Sequence, residues 1–178
     1  MKQFIIASLV GGIILFFWQF LSWTALDLHR VTSEYTSSQE SVLKCLSENI
    51  QPGFYYLPTT PKGTSQEDNA KFMTSVQGQP WAQIYYHKSF NPDMTQNMIR
   101  GVLVNIVTML LLCWIIVQCR ERKFKDTLLI SLTVGLIGYL TGTYSNAIWF
   151  EYPTMPDLID ALAGFGLVGV WLGWYLKS

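Results

Sequence analysis

Charge is what this sequence has least of. Only 13% of its residues are charged, against roughly 25% in an ordinary soluble domain, and four long stretches carry none. Residues 3–26, 101–117, 128–150 and 161–176 contain no Asp, Glu, Lys, Arg or His. Proton relays, ion-coupled carriers and voltage sensors move charge through ionisable side chains inside the membrane, so these stretches argue against all three. Cysteine and histidine are also sparse. Cys45, Cys113 and Cys119 form no CxxC pair, which leaves a thioredoxin-like motif or a Cys-rich zinc site unsupported. His29 and His87 are the two histidines; a bis-histidine haem is a formal option only, because His87 falls on an expected strand. No cofactor and no metal are expected. The formal net charge of +0 provides no basic field, and nucleic acid is excluded as a partner. GxSxG, HExxH and Walker patterns are absent, so no enzyme class follows from a motif.

What the sequence does contain is apolar length. Half of its residues are hydrophobic, and the uncharged runs approach the ~20 residues that a helix needs to cross a ~30 Å hydrocarbon layer. The expected fold is an all-α membrane protein, a four-transmembrane-helix bundle with a small α+β outer-facing insertion between helices 1 and 2. Residues 1–30 are transmembrane helix 1 and 31–91 the extracytoplasmic insertion. Residues 92–178 hold transmembrane helices 2–4. A signal peptide is the rival for the first run. Its apolar core spans only about 7–15 residues, whereas here apolar character persists to Trp23 with no A-x-A site after it, so an uncleaved anchor is preferred.

Between helices 2 and 3 lies a basic turn, 118–126, containing Arg120, Arg122, Lys123 and Lys125. Lys and Arg collect on cytoplasmic loops. The turn therefore places both termini, including Lys177, in the cytoplasm and residues 31–91 outside, in a cytoplasmic (inner) membrane if the cell is bacterial. The insertion reads as a helix opened by Ser38, a strand at 54–57 stopped by Pro58, a second helix capped by Ser65, and a strand at 81–87. At about 60 residues it is too small to bury much apolar surface alone.

Small residues recur at helical spacing. Gly12 belongs with Ser8, Gln19, Ser22 and His29 on one side of helix 1; Gly135, Gly138 and Gly142 form a seam on helix 3; Gly166, Gly169 and Gly173 form another on helix 4. Such seams let helices approach closely and say nothing about chemistry. The titratable groups gather at the outer ends. Thr154 and Asp157 match an N-terminal capping pattern, and Arg100 has Glu151, Asp157 and Asp160 as possible ion-pair partners. His29 with Asp27, Asp157 or Asp160 could act as acid and base, but no nucleophile or oxyanion site accompanies them. The leading expectation is a non-catalytic subunit, scaffold or assembly factor of an envelope complex, with membrane lipid and a protein partner or a second copy as contacts. A small transporter or lipid-binding protein with an outward-opening pocket near Gln19, Asn105 and Asn146 is the alternative. An outer-interface enzyme built on His29 comes third.

Overall fold

A computed structural model describes residues 2–176; the expected cytoplasmic Lys177 lies outside them. The chain is 69% helix, and four helices are long and apolar enough to cross a membrane: Lys2–Thr24, Thr95–Val117, Phe124–Phe150 and Met155–Tyr175. In chain order the elements are α1 (Lys2–Thr24), a 3-10 turn (Leu28–Thr32), α2 (Gln39–Asn49), β1 (Gly53–Leu57), α3 (Gln66–Ser75) and β2 (Ala82–Tyr86). They continue with α4 (Thr95–Val117), α5 (Phe124–Tyr139), a π-helical segment (Leu140–Tyr144), α6 (Ser145–Phe150) and α7 (Met155–Tyr175). Two compact units result, one formed by Met1–Tyr35 with Asp93–Ser178 and the other by Thr36–Pro92.

The long helices form a row in the order α4, α1, α7, α5: α1 packs against α4 and α7, α7 packs against α5, and α4 meets α5 only weakly. The core occupies one half of this row. Ala7 and Leu15 of α1 meet Met109, Leu112, Cys113 and Ile116 of α4 and Val168 and Leu172 of α7, all nearly or fully buried. At the same end the Gln3 amide donates to the Tyr175 carbonyl at 2.8 Å, and the Trp171 indole donates to the Ala7 carbonyl at 3.2 Å. This is the end that carries the basic turn. The outward faces of α1 and α4 expose Ile6, Ile13, Phe17, Leu103, Val107, Leu111 and Trp114, far more contiguous apolar surface than a soluble protein tolerates.

Apolar helices of this kind, where they meet in lipid, have no hydrophobic reason to associate and depend on close packing, which glycines provide here. A Cβ on Gly12 would stand 2.9 Å from the Ile106 Cα; on Gly169, 2.9 Å from Leu128 Cδ1; on Gly173, 2.9 Å from Phe124 Cδ2. Gly135 is tighter still, at 2.7 Å from the Phe165 ring. Gly166 faces only an ordinary 3.6 Å contact with Leu132. The expected seam fails at Gly138 and Gly142, where a Cβ would meet nothing within 4 Å. The reason is the row itself. Beyond Gly135 the face opens: Gly138 borders a space that α4 does not come across to fill, and Gly142 stands in the π segment.

Helix 3 spans Phe124–Phe150 and contains the π segment within it. Two further expectations are corrected. Helix 1 stops at Thr24 and Asp27 adopts a left-handed backbone, φ 49°, so His29 leaves the helical stripe of Ser8 and Gln19 and rides on the 3-10 turn. The Thr154 side chain makes no capping bond to α7; its hydroxyl pairs with the Tyr139 hydroxyl at 2.9 Å instead.

In the second unit β1 and β2 pair antiparallel, with Phe54 opposite Tyr85 and Tyr56 opposite Gln83. Cross-strand rings hold the hairpin, Phe54 on Tyr85 at 4.6 Å and Tyr56 near Trp81 at 5.9 Å. Ser65 caps α3 by accepting from the Asp68 amide, as its position predicts. Tyr86 is the one buried hydrophobic residue among those described in this unit.

Candidate functional site: a His–Asp pair beside an apolar cavity

The polar centre is Asp160, in the second turn of α7. The Trp18 indole of α1 donates to its Oδ1 at 3.1 Å, and the His29 imidazole reaches its Oδ2 through Nε2 at 2.9 Å. An ionised carboxylate only accepts, so Nε2 carries the proton and Nδ1 is the nitrogen left for other business. The imidazole is fixed by Asp160 and by a stacked ring, and the backbone beneath it by a hydroxyl. Trp23 stacks on it at 3.9 Å with the planes 5° apart, the Thr32 hydroxyl donates to the His29 carbonyl at 2.6 Å, and its side chain is only 5% exposed, with that of Asp160 at 16%. The approach of α1 to α7 depends on Gly164, where a Cβ would sit 2.8 Å from Leu15 Cδ1 and 3.1 Å from Trp18 Cδ1.

Beside this pair is a cavity of about 640 Å³, inside the 300–1,000 Å³ range of ordinary ligand sites. It fills the space that the row leaves between α4 and α5. Phe16, Gln19, Phe20 and Trp23 of α1 line it, with Asn97, Met98 and Gly101 of α4. Gly138 and Tyr139 of α5, Thr143 of the π segment, and Asp157, Asp160 and Phe165 of α7 complete it. All belong to the half of the helices remote from the basic turn, so the packed core and the cavity divide the bundle between them. A shallower groove of about 440 Å³ adjoins it across Gln19, Asn97 and Gly101 and includes Arg100.

The structure sorts the expected site residues. His29 and Asp160 come together, and Asp157 joins them on the cavity wall, half-buried and with no partner for its carboxylate among the described residues. Asp27 does not join: it is exposed and pairs with Arg30 at 3.4 Å. The expected ion pair of Arg100 is not formed, since Asp160 is engaged by His29 and no carboxylate among the described residues lies within reach of the guanidinium. Glu151 is exposed and ends α6 in a left-handed conformation, φ 53°. Of the three expected pocket residues, Gln19 lines the cavity while Asn105 donates to Gln19 at 2.7 Å and packs between α1 and α4; Asn146 lies elsewhere. Sequence reasoning missed Trp18, Trp23 and Gly164. Trp18 stands four residues before Ser22, in step with the buried Gly11 and Leu15, and that spacing was the available signal.

Chemically the pair can hold a proton at a fixed place and orient an imidazole. Among the described residues no hydroxyl or thiol is hydrogen-bonded to the His29 imidazole, whose partner is Asp160, so the nucleophile of a hydrolytic triad is not assembled. No three His, Cys, Asp or Glu side chains cluster as a metal site among the described residues. Outside the four long apolar helices, the side chain and backbone amide of Thr95 hold the fully exposed Asp93 carboxyl below its usual pKa, a local turn contact at the entry to α4. Comparison with known protein families, with characterised proteins and with solved structures gives no match.

Proposed function

We propose that this is a polytopic protein of the cytoplasmic membrane that binds a membrane amphiphile, hydrocarbon in the cavity between α4 and α5 and polar head toward Asp157, Asp160 and His29. The observation that carries this reading is a largely apolar cavity of ligand size closed at one end by convergent polar groups, the usual form of a small-molecule site. Phe20, Trp23 and Met98, each about half exposed or more, give the cavity an apolar mouth suited to entry from lipid. The role is binding rather than catalysis, because the His–Asp pair has no nucleophile beside it.

Gly138→Leu tests it. A Cβ here meets nothing within 4 Å and the residue lines the cavity, so the thermal midpoint should hold while phospholipid retained after gentle extraction, read by native mass spectrometry, falls several-fold. Undiminished lipid on a folded variant would sink the reading.

Orientation has its own test. Lys2, Arg120, Arg122, Lys123 and Lys125 all sit at the core end of the bundle, which favours that end inside. A reporter active only in the cytoplasm should give signal when fused after residue 177 and none when inserted after Lys62; the reverse pattern inverts the topology.

A second reading rests on the Thr36–Pro92 unit. It buries one hydrophobic residue, Tyr86, and leaves Phe54, Met73, Trp81, Tyr85 and Phe90 exposed, which favours a contact surface in an envelope complex.

A further inference from the structure

We infer that the amphiphile held in this cavity carries a cationic ammonium head, recognised by Asp157. The inference rests on the cavity reading above and deepens it. Two carboxylates line the cavity and no Lys or Arg does, and the lining imidazole of His29 is turned to Asp160, so the lining favours a cationic head over an anionic one. The carboxylates are not equivalent. Both oxygens of Asp160 are occupied, one by the Trp18 indole and one by His29. Asp157, one turn earlier on the same helix and half-buried, has no partner among the described residues. It stands in the first turn of α7, so the positive end of that helix dipole already faces a carboxylate of the protein's own. A carboxylate partly withdrawn from water attracts a cation more strongly than one in bulk solvent. The walls agree with this. Phe16, Phe20, Trp23 and Tyr139 surround the space, and aromatic faces attract ammonium groups, quaternary ones included. The distribution is therefore apolar along the cavity, aromatic around it and anionic at its polar end, which fits a hydrocarbon chain ending in an amine.

The test uses the full chain in a non-ionic detergent. Dodecyltrimethylammonium and dodecanoate, equal in chain length and opposite in charge, are titrated separately and their retention is read by native mass spectrometry. Wild type should hold the cation about tenfold more tightly, equivalent to one ion pair of modest strength. Asp157→Asn should erase the preference with the chain still bound, and Asp157→Glu should keep it. In nanodiscs of phosphatidylethanolamine the added cation should compete poorly if the bilayer's own ammonium lipid is the occupant. Equal competition in phosphatidylethanolamine and phosphatidylglycerol discs would point to an amine arriving from solution. Either result supports the assignment and names its source. Equal retention of both amphiphiles by wild type, or a preference unchanged in folded Asp157→Asn, overturns the ammonium assignment and leaves the cavity reading standing. Retention of neither amphiphile, with no lipid carried through extraction, overturns both.

Discussion

Gly135→Leu should lower the thermal midpoint in detergent by roughly 10 °C, or prevent recovery of folded protein. A Cβ at this position would lie 2.7 Å from two atoms of the Phe165 ring and 2.9 Å from the Ala161 carbonyl oxygen. The ring could turn aside, but the carbonyl belongs to the backbone of α7 and can only move with its helix. Admitting leucine therefore forces α5 and α7 apart. The same interface contains the close contacts of Gly169 with Leu128 and Gly173 with Phe124, so the disturbance spreads along the seam. Leucine recovers about 1 kcal/mol of helix propensity over glycine, too little to offset overpacking of about 3 kcal/mol. Gly166→Ala is the control: it faces Leu132 at 3.6 Å, and its midpoint should stay within a few degrees of wild type. A Gly135→Leu protein that melts with wild type would show that the α5–α7 contact is not what holds this bundle.

Much of the fold was legible because a few local rules settle it. The four uncharged runs could only be buried or lipid-facing, and they correspond to the four long helices. Ser65, followed by Gln66-Glu67-Asp68, is an N-cap by local hydrogen bonding alone, and Pro58 follows the last residue of β1. The glycine seams were half legible. Spacing identifies which residues share a face, but it does not say which neighbour the face meets; Gly169 and Gly138 look alike in sequence and differ entirely in surroundings. What decides is the order of helices in the row, a property of long-range packing that no local pattern contains.

The candidate site was hidden for a related reason. His29 and Asp160 are 131 positions apart, and nothing in either neighbourhood names the other. Helical periodicity was misleading here, since extending α1 to residue 29 aligns His29 with Gln19, whereas the left-handed Asp27 ends the helix and swings the 3-10 turn toward α7. The two residues that complete the site, Trp18 and Trp23, read in sequence as ordinary interfacial aromatics. One donates a hydrogen bond to the carboxylate and the other stacks on the imidazole, so four residues from three elements are locked into one geometry. That rigidity forms the polar end of the cavity and ties α1 to α7 at the half of the bundle where the apolar core is missing.

Asp160 should accordingly be the most sensitive polar position in the bundle. Asp160→Ala removes the acceptor for two donors at once, the Trp18 indole and the His29 imidazole, in a place nearly closed to water. Each stranded donor costs about 1–3 kcal/mol, so the variant should lose about 3 kcal/mol, with the tryptophan emission shifting as Trp18 and Trp23 lose their fixed surroundings. Asp160→Asn should lose only about a third of that. Its amide oxygen still accepts from Trp18, and its NH2 group can donate to Nε2 once the imidazole shifts its proton to Nδ1, a tautomer change available to neutral histidine and not to the imidazolium. A double-mutant cycle of Asp160→Ala with His29→Ala, followed by thermal melts, isolates the pair: because each single change strands a partner that the double change removes, the two losses should fall short of adding. Additive losses, or an Asn variant that melts below the Ala variant, would show that His29 and Asp160 share space without sharing a proton.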